Sequence, residues 1–380
     1  TDRPTMSPSG GVRKVIFDTD AGVDDALALV LLLRAPDVDV IGITCCAGNV
    51  ELDQVVENVL KVLAVCNANV PVYRGAPHPL LGQKKRVHAG YYHGSDGRGD
   101  SEEARQIDIT AQKHLVSTES AAMGMYKVAK EAMAAGDKIT LIAVAPLTNL
   151  AAAHSIDPCF SSLLKEVVIM GGNMEGKGNI TLSAEFNFYF DPEAANIVLE
   201  EFCCPLTLYT WELCLEHPIP ATQFSQIAHP GHSPISQYLF WISHYSAYTH
   251  HNVDLVKMHS SPDVLAAKNN TGGGTVDGND DTEGDKAFVT ADPMAVASWI
   301  DPSIVLERHT RPVMVELGGH WTRGMCIVDW EKKAADPEVL TPPFFNKEEH
   351  RRGVGIPTRL DTHKIVQMML RAAGAPTAAE

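Results

Sequence analysis

The chain has 380 residues, a formal net charge of −16 and a hydrophobic share of 45%. That is enough apolar material for a sizeable core, and the acidic balance argues against a nucleic-acid or anionic-membrane partner, since either would need a basic patch. No apolar run approaches the length of a membrane span, and eight cysteines in a chain this long do not make a disulfide scaffold.

Residues 1–11 are polar and rich in Pro, Ser and Gly, which reads as a disordered leader and not a signal peptide. Val15 to Phe17 then reads as a buried parallel strand and Ala26 to Leu33 as an apolar helix. Between them stand four aspartates, Asp18, Asp20, Asp24 and Asp25, with Gly22 in their midst. In open α/β folds ligands bind beyond the carboxyl ends of the strands, where these carboxylates would sit. Carboxylates so close together repel, and some must protonate unless a cation holds them; hard cations such as Ca²⁺ and Mg²⁺ take all-oxygen ligands of this kind. Helix capping by Asp24 with a first-turn Asp25 is the local alternative, and it accounts for two of the four.

Val38 to Thr44 is the second strand, and a helix runs from about Leu52 to Cys66. The adjacent pairs Cys45-Cys46 and Cys203-Cys204 lie within or beside strands, where neighbours point to opposite faces. That suits free thiols in a reduced, cytosolic setting. By local rules Asn49 stabilises a turn; its other reading is a hydrogen bond to a ligand at the sheet edge. Pro71 to Gly75 reads as a short strand, followed by a Gly- and His-rich irregular loop over His88 to Asp100 that lacks the phosphate-loop spacing. Taken alone, His93 in that loop is an ordinary loop histidine.

Ser117 to Ala135 reads as an amphipathic helix, and Ile139 to Val144 as a strand that leads into Leu147-Thr148-Asn149. Glu166 to Met170 is the next strand, ending in Met170-Gly171-Gly172-Asn173. Asn179, Glu185 and Asn187 follow in a glycine-flanked segment able to approach a ligand, and Asp191-Pro192 reads as a helix start. Asn179-Ile180-Thr181 is a glycosylation sequon, discounted in a cytosolic chain.

Leu206 to Tyr209 is a further strand, and residues 236–251 form an aromatic helix in which Tyr245 and Tyr248 are candidates to border a ligand. The polar stretch from about 259 to 286 reads as a flexible insertion; it has Thr282 where a calcium loop needs glycine. Asp292-Pro293 repeats the capped helix start, residues 312–330 read as a β-hairpin around Gly318-Gly319, and Asp361 to Ala373 as a closing helix before a tail at 376–380. The expected architecture is one α/β domain over 12–375: an open, mostly parallel, Rossmann-like sheet flanked by helices, with a C-terminal β-hairpin.

Two patterns, Asp18-x-Asp20-x-Gly22-x-Asp24-Asp25 after a strand and Met170-Gly-Gly…Asn179…Glu185-Phe186-Asn187…Asp191-Pro-Glu-Ala-Ala, resemble the nucleoside hydrolase family of inosine–uridine N-ribohydrolases from about Val15 to about Ala373. The resemblance implies Ca²⁺-dependent cleavage of ribonucleosides to base and ribose by a homodimer or homotetramer. It implies Asp20, Asp25, the Val144 carbonyl and Asp292 as metal ligands, with Asp20 also the general base for a water held by the cation. Asp24, Asn49, Met170, Asn179, Glu185, Phe186 and Asn187 fall at substrate-binding positions, and Asp18 would orient its neighbours from behind.

The chain departs from the pattern at Ala291, where family members carry a histidine or tryptophan that serves the leaving base. His93 is the first candidate to replace that group as catalytic acid, ahead of His244 and His250. Two rival readings remain. A haloacid-dehalogenase-like phosphatase also begins strand-Asp-x-Asp, with the first aspartate as nucleophile, although Gly22 departs from its usual pattern. A nucleoside- or ribosyl-binding homologue with weak turnover is the other, motivated by Ala291.

Overall fold

The structure, a computed structural model, describes residues 11–81, 88–260, 286–331 and 353–376. The expected leader up to residue 10, most of the 259–286 insertion and the tail beyond residue 376 lie outside the described residues.

The apolar runs become the centre of one sheet. In chain order the strands are β1 (Arg13–Thr19), β2 (Val38–Cys45), β3 (Val72–Arg74), β4 (Val116–Ser120), β5 (Ile139–Ala143), β6 (Leu164–Met170) and β7 (Leu206–Tyr209). They continue as β8 (Ile219–Pro220), β9 (Ala287–Phe288), β10 (Val305–Arg311), β11 (Val313–Val315), β12 (Cys326–Val328) and β13 (Val354–Leu360). Nine of them form a sheet in the order β10-β13-β7-β6-β5-β1-β2-β3-β4. Every neighbouring pair is parallel except β10 with β13.

Both faces of the sheet are covered, which is why its inner strands read as unbroken apolar runs. Val15 and Phe17 of β1 point into one core with the helices Val23–Arg34, Asp292–Ile300 and Thr362–Ala373. Ile16 points into the other, with the helices Ala121–Ala134, Thr148–Ile156 and Pro192–Glu201. The chain leaves β1 toward β2, β3 and β4, then returns across β1 to β5 and proceeds toward β6 and β7. The topological switch point therefore lies between β1 and β5, at the carboxyl ends that carry the aspartates and Val144.

Two local expectations are corrected, and two strands are added. Ser117 to Ser120 belongs to the edge strand β4, and the helix begins only at Ala121, where the Ser120 hydroxyl accepts from the Met123 N–H. Val116 and Thr118 are β-branched and favour the strand, while Ser120 caps. Asp292 is the first residue of its helix, not its cap, so its side chain is released from capping; Ala291 holds the cap position. The strands β10 and β13 were unforeseen, because β10 is a polar edge strand and β13 carries Gly355 and Pro357. Asp191 does cap its helix, accepting from the Ala194 N–H at 3.1 Å with Pro192 at the first position. The hairpin also forms, with Val313 of β11 opposite Val328 of β12. Among the described residues no helix is long and apolar enough to cross a membrane.

Candidate active site

The acidic turn after β1 is built by its own hydrogen bonds. The Asp25 carboxylate accepts from the Thr19 hydroxyl at 2.6 Å and from the backbone N–H groups of Asp20, Ala21 and Gly22. It thereby satisfies donors at the start of the helix Val23–Arg34. Asp20 is turned toward β2: its two oxygens accept from the Asn49 backbone N–H at 2.7 Å and the Asn49 side-chain amide at 3.0 Å. Gly48 permits this approach, because a Cβ there would meet Asp20 Oδ2 at 2.1 Å. The Asn49 amide also donates to Asp25 at 3.2 Å, so Asn49 ties the two carboxylates together.

Asp24, Asp25 and Asp292 each present an oxygen within 4.8 Å of the other two. Asp24 also lies near the backbone N–H groups of Ala291 and Asp292, at the start of the helix whose own cap has no side-chain acceptor. Burial, compounded by mutual repulsion, pushes the Asp20 and Asp292 carboxyls well above the ordinary carboxylate range, and those of Asp24 and Asp25 also rise. Buried acids that cannot all ionise together, with an all-oxygen donor set, fit a hard divalent cation. Asp20 stands beside this trio, its carboxyl next to that of Asp25.

A cavity of about 430 Å³ opens over these groups. Its lining includes Asp24, Asn49, Val144, Met170, Asn179, Glu185, Phe186, Asn187 and Asp292, so the structure brings these expected residues together. Glu185 is buried and accepts from the backbone N–H groups of Gly172, Asn187 and Phe188, capping the short helix Phe186–Phe190. Burial pushes its carboxyl up to about 7. The Asn187 amide donates to the Val144 carbonyl at 3.1 Å and the Met170 carbonyl at 3.2 Å. A carbonyl has two lone pairs, so Val144 keeps one for another partner. The buried Asn179 Oδ1 has no hydrogen-bond partner, a polar atom left for a ligand.

Asp18 sits below the cavity. Its Oδ1 accepts from Thr44 and Asn149, its Oδ2 has no partner, and burial pushes its carboxyl up to about 7. Its hydrogen bonds go to Thr44 and Asn149, not to Asp20 or Asp25, so it is linked to the acidic turn through the backbone of β1 and through the nearby Asp25 charge, which adds to the rise.

The rest of the lining comes from loops and helix ends and includes Tyr91, Tyr92, His93, Trp211, Leu215, His250, His251, Val289 and Ala291. His93 Nδ1 accepts from the Val23 N–H at 3.1 Å, and burial depresses its pKa to about 4. The ring is therefore neutral near pH 7 with its proton on Nε2. The Tyr92 hydroxyl lies 2.9 Å from His251 Nε2 and 3.2 Å from the Val289 carbonyl. Neither Tyr245 nor Tyr248 lines the cavity; the last turn of their helix reaches it through His250 and His251. His244 packs instead on Phe240 and Tyr248. Tyr92, His251 and Trp211 were missed because nothing local marks them; only the aromatic pair next to His93 was a usable signal.

The sequence profile of the inosine-uridine preferring nucleoside hydrolases matches residues 15–367. A pyrimidine-specific ribonucleoside hydrolase, RihB of Escherichia coli, is 40% identical over 190 residues, which cover 49% of this chain and 56% of that protein. The chain thus spans about half the length of the curated relatives it matches. Among solved structures, an inosine-guanosine nucleoside hydrolase superposes with a TM-score of 0.74 at 28% identity, over 96% of this chain and 99% of its own. A plant nucleoside hydrolase, PpNRh1, gives 0.74 at 25% identity over 96% and 100%. With a profile spanning nearly the whole chain and the same fold in these neighbours, the chain belongs to the inosine-uridine preferring nucleoside hydrolase family.

Proposed function

We propose that the chain hydrolyses the N-glycosidic bond of ribonucleosides to free base and ribose, with Ca²⁺ as cofactor. The observation that carries this reading is the convergence of an aspartate trio, of which Asp24 and Asp292 line the cavity, with the polar set Asn49, Asn179, Glu185 and Asn187 on that same cavity.

Cleavage of such a bond passes through an oxocarbenium-like sugar and needs an activated water, a grip on the ribose and help for the departing base. When bound, the cation would orient the ribose hydroxyls and acidify a water; Asp24, Asp25, Asp292 and the Val144 carbonyl stand where they can hold it, with Asp20 alongside. Asp20, its orientation set by two hydrogen bonds from Asn49, takes the proton from the attacking water. Asn179, Glu185 and Asn187 accept from or donate to the sugar hydroxyls, with Met170 and Phe186 closing the apolar side.

For the base, the neutral His93 offers an Nε2–H, and the Tyr92–His251 pair lines the same cavity as Ala291. These groups are the donors for the leaving base. The phosphatase reading loses its nucleophile, since Asp18 is fully buried, bound by Thr44 and Asn149, and absent from the cavity lining. Eight free cysteines support the reduced, cytoplasmic setting, and the family resemblance supports a homodimer or homotetramer.

A reducing-sugar assay over inosine, adenosine, guanosine, uridine and cytidine, with and without chelator, tests the proposal. Ribose release that stops on chelation and returns with Ca²⁺ is the expected result. Tight nucleoside binding with no sugar released would instead favour the binding-homologue reading.

A further inference from the structure

The acidic turn is gripped from behind by a buried positive charge that the reaction scheme does not use. Arg98 is 1% exposed, yet it forms no ion pair among the described residues. Its Nη1 donates to the carbonyls of Ala21 at 2.7 Å and Gly22 at 2.6 Å, and lies 3.1 Å from that of its neighbour Gly97. Ala21 is held at φ +50°, a left-handed conformation rare for a residue with a Cβ, and it lies between Asp20 and the Asp24-Asp25 pair. The guanidinium therefore captures the strained corner of the turn that aims all three carboxylates.

Arg98 is itself held on several sides. Its backbone N–H donates to Asp96 Oδ1 at 2.8 Å, and Asp96 in turn is bound by the Arg105 side chain at 2.7 Å. The Gly99 N–H donates to the His93 carbonyl at 2.8 Å. Gly99 also lets its loop press on the helix Pro234–His251, since a Cβ there would meet the Ile242 carbonyl at 2.5 Å. The buried Tyr238 phenol of that helix faces the guanidinium. With its loop anchored in this way and Nη1 donating to two successive carbonyls, although Nε has no partner, the buried side chain makes a template for the turn.

We propose that Arg98 is a positioning residue that holds the Ala21–Gly22 backbone so that the neighbouring aspartates converge on one divalent cation. This rests on reading the turn as a cation site. Charge and geometry here pull in opposite directions: a nearby positive charge weakens cation binding, while a correctly shaped turn strengthens it. The proposal commits to geometry. Arg98→Met should weaken Ca²⁺ binding by about 10- to 100-fold, the usual range for residues that orient ligands. Arg98→Lys keeps the charge, but its shorter side chain cannot bring an ammonium to where Nη1 meets both carbonyls, and should weaken it as well.

The test is calorimetric titration of Ca²⁺ into chelator-stripped full-length protein, with melting curves recorded with and without Ca²⁺. A shrunken Ca²⁺-induced rise in Tm for both variants, and recovery of kcat at saturating Ca²⁺, are the expected results. A merely structural arginine would lower Tm equally in both conditions and leave the Ca²⁺ affinity alone. Should Arg98→Met fail to fold, Arg98→Lys carries the same readouts. Unchanged or tighter Ca²⁺ binding in a folded variant overturns the proposal. Wild-type protein that binds no Ca²⁺ overturns the cation-site reading, and the proposal with it.

Discussion

The residues proposed to meet the sugar (the sugar end) and those proposed to meet the base (the base end) are built on different principles. At the sugar end Asp20 directly follows β1, Asp25 lies in the first turn of the helix Val23–Arg34, and Glu185 caps the short helix that carries Asn187; their polar atoms are bound by nearby backbone or by one another. At the base end Tyr92, His251 and Trp211 hang on loops and helix termini, and the Tyr92–His251 contact joins residues 159 positions apart. Preorganised groups on rigid elements serve steps that demand fixed geometry, while loop-borne groups are where variation in ligand is accommodated. The sugar end should therefore carry most of the catalytic energy, and the base end most of the selectivity.

The largest expected effect tests the first half of that contrast. Asp20→Ala should lower kcat by about 10²- to 10⁴-fold, the worth of a positioned general base. Its measurement is steady-state ribose release at saturating Ca²⁺. Near-wild-type turnover would show that the water is activated by another group and would dissolve the distinction between the two ends.

A second test concerns the desolvated carboxyl at the sugar end. In the folded protein Glu185 is pushed up to about 7 from an ordinary 4.5, chiefly by burial. It therefore contributes stability that is fully present below about pH 4.5 and is lost as pH rises through 7. His93 and His251, depressed to about 4, act the other way: their contribution is present above pH 6.5 and lost as pH falls through 4. Comparing wild type with Glu185→Gln cancels the histidines. The Gln variant should gain on wild type by about 3 kcal/mol between pH 4.5 and 8 in chelator-treated protein, read by denaturant unfolding. A stability difference that stays flat across this window would mean that Glu185 titrates normally.

The smallest effect belongs to the base end. Tyr92→Phe and His251→Ala each remove one partner of a hydrogen bond, worth about 1 kcal/mol, and should lower kcat/KM by about 3- to 10-fold. The size of the loss should differ between purine and pyrimidine nucleosides in a five-substrate comparison. Losses equal for every base, or as large as that of Asp20→Ala, would reverse the roles assigned to the two ends.

The same contrast governs what was legible in the sequence. Strands β1, β2, β5, β6 and β7 could be read directly, because strands buried on both faces are continuous apolar runs. The carboxylates lay within a few residues of the first of them, so strand and motif located each other. Edge strands were hidden: β4 is short and polar enough to pass for the start of a helix, and β10 exposes most of its side chains. By local rules Asn49 reads as a turn residue, the family resemblance alone makes it a ligand contact, and only its bonds to Asp20 and Asp25 show what it holds.

Residue order alone determined the layered architecture, the strand ends and the acidic turn, since each follows from periodicity or composition within one stretch of chain. Tertiary packing decided which aromatic and histidine side chains face the cavity, that Tyr245 and Tyr248 do not, and that a buried arginine braces the turn. The reason is range. Local patterns encode hydrogen bonding and amphipathicity over a few residues, whereas these contacts depend on how distant loops dock once the sheet has formed, and no short window of sequence carries that information.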